Sequence, residues 1–272
     1  MSGAHRVSKA VAEHCAAVTD CEVARTVLTK PLLGLDAEQL QCVPLIAAQL
    51  FAAPRRLELQ PRRRWLLPEP WNGHLTSARL LFIGQNPSAD HNEEYPTGSA
   101  TWRPPAADLV KFFDGRFADR PNAPIAKGTK VLLRTGEHGR PNQFLGLVRQ
   151  LAGQITGKGE SVEPGVDYAI TEAVRCKAAN ATGIERAVTT CAEKHLRQTL
   201  SLSGARVIVC LGRIAAQAME IAAGIEPLDR GQIVHWGSRK VVFVHHSGAR
   251  VSKDVRKLSG ATLKTLRREL SS

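Results

Sequence analysis

Two short apolar runs, far apart in the 272-residue chain, most constrain its fold. Residues 80–90 read LLFIGQNPSAD, and residues 241–250 read VVFVHHSGAR. Each run is apolar enough for a buried parallel strand, and each stops abruptly in a polar turn. Because open α/β sheets bind their ligands at the carboxyl ends of their strands, these two turns are the first candidates for an active site.

Further apolar runs alternate with helical patterns through the second half of the chain. We predict strands over 166–174, 205–211 and 239–245, and helices over 184–202 and 213–223. Strands that alternate with helices indicate a parallel sheet covered on both faces. The predicted fold is a three-layer α/β/α sandwich around a central, mostly parallel four-stranded sheet.

This α/β pattern occupies residues 75–272, and a different pattern precedes it. Residues 1–74 are predicted to form a helical, arginine-rich extension packed on the core, with Asp36 as a candidate N-cap. Residues 118–140 are rich in glycine, proline and basic side chains, which is typical of an exposed insertion. The closing basic helix has Ser252 as its candidate N-cap.

Positive charge is the outlier of the composition. The 37 basic and 25 acidic residues give a net charge of +12, clustered in residues 54–65 and near the C-terminus. Such clusters favour nucleic acid as a partner, because neutralised phosphates release counterions; a basic surface without a dedicated partner is the alternative. Residues 1–15 lack a signal-peptide core, and no run could span a bilayer, so we expect a cytoplasmic monomer without membrane contact.

Six cysteines in such a chain favour core packing or a metal site over a disulfide framework. Cys176 ends a predicted strand and Cys191 lies in the next helix, so the two thiols could face each other across a loop. Cys15, Cys21 and Cys42 could complete a four-thiolate site. Spacing alone gives a weak signal, because the chain has no Cys-x-x-Cys pair.

Four motifs together resemble those of the uracil-DNA glycosylase superfamily, in the family's order. They are LLFIGQNPS, ITEAVRCKAANATGIERAVTTCAEKHLRQTL, ARVIVCLGRIAAQA and FVHHSGAR. The second motif is most similar to the family 4-like branch that carries a [4Fe–4S] cluster. The resemblance implies a monofunctional DNA glycosylase of base excision repair, which hydrolyses the N-glycosidic bond of uracil or a related deaminated base. It also implies damaged DNA, single- or double-stranded, as the partner and a structural [4Fe–4S] cluster as the cofactor.

The resemblance assigns a catalytic residue to each of the two loops. Asn86 is similar to the residue that positions the attacking water, and its amide would orient that water rather than act as a strong base. His245 resembles the histidine that donates a hydrogen bond to the oxygen of the departing base. His246 replaces a proline of the family motif, which leaves open which histidine faces the base. The other residues of the first loop are expected to bind substrate: Gly84, Gln85, Pro87 and Ser88.

The resemblance also assigns residues to base stacking, DNA and the cluster. Tyr95, in a Tyr-Pro-Thr-Gly segment, is nearest to the Pro-Phe-x-Gly segment that supplies the stacking ring in the cluster-bearing branch, and Trp102 is a second candidate. Ser247 and Arg250 match positions that contact phosphate and fill the space left by the flipped base. The implied cluster ligands are Cys15, Cys21, Cys176 and Cys191, with Cys42 in reserve.

Glu172 departs most from the family pattern, which has an asparagine four residues before the third cysteine. That amide donates to O4 and accepts from N3–H of uracil, whereas an ionised carboxylate only accepts. A buried, protonated Glu172 would restore the donor, because desolvation raises a carboxyl pKa. Glu172 could instead select a base with an amino group, or lie solvated at the strand end.

Two other functions explain part of the sequence. The main alternative is an inactive or covalently trapping DNA-binding protein on the same scaffold, because Asn86, Glu172 and His246 all depart from the commonest motifs. A small redox iron–sulfur protein would explain the thiols, but it would leave the two loops and the positive charge without a role.

Overall fold

The structure is a computed structural model. It describes residues 8–29, 35–37, 39–42, 65–88, 92–99, 102–118, 120–178, 181–226, 231–245 and 258–272. The described α-helices are α1 (Lys9–Thr19), α2 (Glu22–Thr29), α3 (Ala106–Asp114), α4 (Gln143–Thr156), α5 (Ile184–Cys191), α6 (Arg197–Leu202), α7 (Arg213–Ala223) and α8 (Gly260–Ser271), and a π-helical turn, Ala192–Leu196, joins α5 to α6. The described strands are β1 (Trp65–Leu66), β2 (Leu80–Gly84), β3 (Thr97–Gly98), β4 (Ile125–Ala126), β5 (Lys130–Leu132), β6 (His138–Pro141), β7 (Tyr168–Glu172), β8 (Val207–Leu211), β9 (Ile233–Trp236) and β10 (Arg239–Val244).

The central sheet has five strands, in the order β7–β2–β8–β10–β9. β7, β2, β8 and β10 pair in parallel, and β9 is antiparallel to β10. The prediction of four strands is therefore corrected by the edge strand β9. No side chain of β9 is buried, so this segment lacks the continuous apolar run that marks the parallel strands.

Helices cover both faces of the sheet, as the alternating pattern predicts. Leu81 and Ile83 of β2 point into a core shared with α1, α3, α5 and α7. Leu80 and Phe82 point to the opposite face, into a core with α4 and α8. This alternation places Gly84 on the α4 face, which matters for the site below.

The insertion predicted over residues 118–140 carries a second, three-stranded antiparallel sheet, β4–β5–β6, which the sequence pattern did not indicate. These strands are two to four residues long, which is too short to give a period-two pattern. Ile125 of β4 and Leu132 of β5 are nevertheless buried. The closing helix is shorter than predicted. It begins after Ser259, whose hydroxyl accepts from the backbone N–H of Thr262 at 3.1 Å, while Ser252 lies outside the described residues.

The N-terminal helix α1 packs on the same core as the sheet. Its buried side chains Val11 and Cys15 join the core on the α7 face.

Asp36 acts as the predicted N-cap, because its Oδ1 accepts from the backbone N–H of Gln39 at 2.8 Å. Among the described helices, none combines the length and the apolar character that crossing a membrane requires.

Candidate active site at the carboxyl edge of the sheet

All four parallel strands of the central sheet end at one edge. Glu172, the last residue of β7, lies opposite Gly84, the last residue of β2. β2, β8 and β10 are level at this edge, since Ile83 lies opposite Cys210 and Cys210 lies opposite Phe243. The residues that follow these strands therefore meet around a common rim, as in other open parallel sheets.

Asn86 and His245 both leave the sheet at this rim. Asn86 is two residues beyond β2, and His245 is one residue beyond β10. Since β8 alone separates these strands, their ends are about 10 Å apart, two strand spacings. His245 is buried, whereas Asn86 is partly buried and its Nδ2 donates to the carbonyl of Pro87 at 3.0 Å.

The loop that carries Asn86 is fixed along the segment that follows β7. The backbone N–H of Ala173 donates to the carbonyl of Gly84 at 2.9 Å, and that of Ala178 donates to Pro87 at 3.1 Å. These bonds extend the β2–β7 pairing beyond the sheet. The first loop and the segment that contains Cys176 therefore form one backbone unit.

Glu172, Gly84 and Phe144 form the closest packing at the rim. A Cβ atom on Gly84 would lie 2.1 Å from Glu172 Oε2 and 2.8 Å from Phe144 Cζ. Residue 84 must therefore lack a side chain for the carboxyl group and the ring to lie where they do. Phe144 is held in the first turn of α4, where Asn142 Oδ1 caps the helix by accepting from Leu145 N–H at 3.1 Å.

The Glu172 carboxyl group is 4% exposed, which excludes the solvated strand-end position. Its Oε2 atom is buried and makes no hydrogen bond among the described residues. Burial raises the pKa of Glu172 well above its usual value, and Glu69 raises it further, against the opposing effects of Arg175 and Lys177. Burial therefore favours the neutral form of the carboxyl group, the form that has a hydrogen bond to donate.

The structure places Tyr95 in a cluster of buried charges, two of which, Glu69 and Lys177, also act on Glu172. The Tyr95 ring lies 4.1 Å from Lys177 Nζ and 5.2 Å from the Arg116 guanidinium carbon. Trp102, the other predicted stacking residue, is 53% exposed. Phe144 is the ring beside the carboxyl group, and sequence analysis missed it.

A sequence signal for Phe144 is present in the chain. Phe144-Leu145-Gly146 matches the Phe-x-Gly part of the family's Pro-Phe-x-Gly segment, and Pro141 lies three residues before it. The insertion of two residues after the proline and the distance from the first loop hide this match.

The buried charges near Tyr95 form an ion network of Glu69, Glu93, Arg116 and Lys177. Arg116 Nη1 donates to Glu69 Oε2 at 2.5 Å, and Nη2 donates to Glu93. Lys177 Nζ donates to Glu93 Oε2 at 2.8 Å and to the carbonyl of Ser88 at 3.3 Å. Burial alone would raise the pKa of Glu69, but Arg116 and then Lys177 lower it to about 2. Glu69 therefore stays ionised, and the network ties the first loop to the segment after β7.

Four buried thiols interact electrostatically near this segment. Burial raises the pKa of Cys176 well above its usual value, and Cys191, Cys21 and Cys42 each raise it further. Like-charge effects of this kind require proximity, so the other three thiols lie around Cys176. Within the described part of the chain, no three His, Cys, Asp or Glu side chains are grouped as the ligands of a single metal ion would be.

Cys15, in contrast, has a carboxylate as its charged neighbour. Burial and then Asp114 raise the pKa of the Cys15 thiol to about 12. Its side chain lies in the core between α1 and α3, the helix that Asp114 ends.

Three residues assigned to the second loop lie outside the described residues: His246, Ser247 and Arg250. A cleft of about 320 Å³ lies away from the rim, beside α1, and its lining includes Asp20 and Arg103. These two side chains form an ion pair with each other, so the cleft does not present the convergent polar groups found at the sheet edge.

Comparison with known proteins identifies the family of the chain. The family model of the uracil DNA glycosylase superfamily matches residues 70–270, which include both loops and most of the 272-residue chain. A search of curated proteins found no match to the chain. The matched span contains Asn86, Phe144, Glu172 and His245, the residues that the fold brings to one rim. The chain therefore belongs to the uracil DNA glycosylase superfamily.

Proposed function

We propose that this protein is a DNA glycosylase that hydrolyses the N-glycosidic bond of uracil, or of a related deaminated base, in DNA. Membership of the superfamily supports glycosylase chemistry on DNA. One observation carries the proposal for this chain: Asn86, Glu172 and His245 leave three parallel strands at the same edge of the sheet, and Phe144 lies beside Glu172.

Base binding follows from the packing at the rim. A stacked base cannot be reached inside a duplex, so the enzyme must flip the nucleotide into its site. Phe144 offers an aromatic face for the flipped base, a contact worth about 1–3 kcal/mol per base. Glu172 lies beside that ring and binds the polar edge of the base.

Bond cleavage needs a positioned water and a stabilised leaving group. Breaking the N-glycosidic bond builds positive charge on the sugar and negative charge on the departing base. Asn86 orients the water through its amide and cannot act as a strong base. His245 donates to the anionic oxygen of the base, and preorganised donors of this kind are worth about 2.7–4 kcal/mol.

The charge of the chain supports a polyanionic partner. A net charge of +12 favours DNA, whose phosphates release counterions when basic side chains neutralise them. Ser247 and Arg250 remain the proposed phosphate and minor-groove contacts of the second loop. The bond from Lys177 to the carbonyl of Ser88 supports a fixed position for the first loop when DNA binds.

The thiols support the cofactor implied by the resemblance, a [4Fe–4S] cluster. We assign Cys21, Cys42, Cys176 and Cys191 as its ligands, because the first, second and fourth all act on the buried Cys176 thiol. Cys42 replaces Cys15, whose charged neighbour is Asp114. Thiolates of such a cluster bind four different iron atoms, so they need not surround one ion. When bound, the cluster would act as a structural cross-link between the turn before α2, the residues around Cys42, the segment after β7 and α5.

Release of a base from synthetic DNA tests the proposal. Single- and double-stranded oligonucleotides with one uracil, hypoxanthine or xanthine are incubated with wild-type protein, Asn86→Ala and His245→Ala. We expect release of at least one base, and rates lower by on the order of 100-fold or more in each variant with DNA binding retained. Excision that survives both substitutions would reject the assigned roles.

The same samples distinguish the alternative function. Binding of the damaged strand without release of a base would favour an inactive DNA-binding protein. A protein–DNA adduct that persists on a denaturing gel would favour a covalently trapping one. Free base in solution and an abasic strand without an adduct is the result that the proposed hydrolysis predicts.

A further inference from the structure

The Glu172 side chain, which is 4% exposed, is buried at the proposed base site, and its Oε2 atom lacks a hydrogen-bond partner among the described residues. The same oxygen is the atom nearest to a Cβ built on Gly84, beside Phe144 Cζ. A buried charge without hydrogen bonds is strongly disfavoured, so this oxygen is suited to a neutral acid that meets a ligand.

The charged groups that act on Glu172 come from two segments. Glu69, before β2, disfavours ionisation of Glu172, whereas Arg175 and Lys177, after β7, favour it. Among the described residues, these three side chains are the charges that act on Glu172, and its packing neighbours on β2 and α4 are Gly84 and the uncharged ring of Phe144.

Both nearby cations are hydrogen-bonded elsewhere. Arg175 Nη1 donates to the carbonyl of Pro70 at 2.8 Å, and Nη2 donates to Thr199 Oγ1 at 2.8 Å. Lys177 donates to Glu93 and to Ser88, as described above. Neither side chain has a hydrogen bond to Glu172 Oε2, and an ion pair does not explain the position of the carboxyl group.

On the basis of the proposed function, we propose that Glu172 selects the base as a neutral carboxylic acid. Its O–H donates to a ring carbonyl, and its C=O accepts from the adjacent ring N–H. The substrate class is therefore a base with a carbonyl next to a ring N–H, which uracil and hypoxanthine share. This donor and acceptor pair restores what the asparagine of the family pattern supplies, and an ionised carboxylate would lose the donor.

Comparison of the wild type with Glu172→Gln and Glu172→Ala tests this selection. Glutamine keeps a donor and an acceptor on nearly the same shape but does not titrate. We expect Glu172→Gln to retain excision of uracil within a few-fold and Glu172→Ala to lose on the order of tenfold to a hundredfold. Equal loss in both variants would overturn the proposal.

The pH dependence of the two active proteins separates a neutral from an ionised Glu172. The wild-type rate is divided by the Glu172→Gln rate at each pH, which cancels titration of the substrate and of His245. We expect a ratio that stays constant through the pH range in which an exposed glutamate ionises and falls only well above that range. A ratio that changes with a midpoint near about pH 4.3, the value of an exposed glutamate, would overturn the proposal.

Unfolding experiments test the neutral state without any substrate. The unfolded chain ionises Glu172 above about pH 4.3, whereas the folded protein keeps it protonated. The contribution of Glu172 to the free energy of unfolding is therefore fully present at low pH. It is lost as pH rises toward the pKa that Glu172 has in the folded protein. We expect the Tm of Glu172→Gln to rise relative to the wild type between about pH 5 and 8.

The two kinds of measurement fail in different ways. A Tm difference that is constant over this range, in a protein that excises uracil, would overturn the neutral state of Glu172 alone. The other outcome is a Tm difference between Glu172→Gln and the wild type that grows with pH, in a protein that releases no base from any oligonucleotide. That outcome would overturn the proposed function and the base selection that rests on it.

Discussion

The Glu172 carboxyl group rests against the backbone of Gly84, so that a Cβ atom on residue 84 would lie 2.1 Å from Oε2. This contact joins the ends of two paired strands, β7 and β2, at the proposed base site. It also explains why β2 ends with glycine, although no positive φ angle requires one there.

Gly84→Ala is therefore expected to damage the site through packing. The methyl group must displace either the carboxyl group or the ring of Phe144, and overpacking of this kind costs about 1–3 kcal/mol. Urea unfolding and single-turnover excision of uracil measure the two effects, and we expect both stability and rate to fall.

Gly146→Ala is the matched control for that substitution. A Cβ on Gly146 meets no atom within 4 Å, and the residue lies inside α4. Alanine should stabilise this helix by roughly 0.5–1 kcal/mol and leave excision unchanged. Equal rates in the two alanine variants would contradict the packing explanation.

Phe144→Ala is expected to weaken excision with little effect on DNA binding outside the base site. Loss of one base-stacking contact corresponds to about 1–3 kcal/mol, or roughly 5- to 150-fold in rate. Phe144→Tyr should recover most of this activity because it keeps the ring. Tyr95→Phe, which keeps a ring inside the buried ion network, should excise at the wild-type rate. A larger loss in Tyr95→Phe than in Phe144→Ala would reverse the two assignments.

The ligand assignment predicts opposite results for two cysteine substitutions. Cys42→Ser should remove the visible absorption of an iron–sulfur cluster from anaerobically purified protein, because a proposed ligand is lost. Cys15→Ser should keep that absorption, because the charged neighbour of Cys15 is Asp114. Iron and sulfide analysis of both proteins provides the check. An unchanged Cys42→Ser spectrum together with a colourless Cys15→Ser protein would restore the set that the resemblance implied, with Cys15 in place of Cys42.

The buried ion network predicts loss of stability in acid. Arg116 and Lys177 hold the pKa of Glu69 at about 2 in the folded protein, whereas in the unfolded chain the pKa is about 4.3. Glu69 therefore adds about 3 kcal/mol to the free energy of unfolding above the pKa that it has in the unfolded chain. This contribution is lost as pH falls through the pKa that Glu69 has in the folded protein. Denaturant titrations between about pH 6 and 2 measure it.

Glu69→Gln should be less stable than the wild type at neutral pH and should lack this part of the acid dependence. Glu185→Gln is the control, since Glu185 pairs with Arg213 on the surface with 68% of its side chain exposed. Exposed pairs contribute about 0–1 kcal/mol, so the control should follow the wild-type curve. Identical acid dependence in all three proteins would contradict the network's role.

Sequence patterns predicted the elements whose side chains are buried on both faces. α7 has the predicted bounds of 213–223, and β8 and β10 lie within the predicted strands. β9 and β4 were missed because one is partly exposed and the other has two residues, so neither gives a periodic signal. Strand order and the edge position of β9 depend on pairing between distant segments, which local pattern does not encode.

In the candidate site, too, local sequence indicated some residues, whereas others depend on contacts between distant segments. Asn86 and His245 lie in the polar turns that follow apolar strand runs, so the local sequence indicated them. Phe144 reaches the rim from the start of a helix, and no local feature connects it with Glu172. Spacing along the chain could not choose between Cys15 and Cys42, because the choice depends on how α1 packs against α3.

Single-turnover excision by a double-mutant cycle of Asn86→Ala and His245→Ala tests the central claim most directly, that the two loops form one active site. Each single variant should excise uracil on the order of 100-fold or more slowly than the wild type. The double variant should be less impaired than the product of the two losses, because groups that act on one transition state are not additive. A wild-type rate in either single variant would contradict the claim.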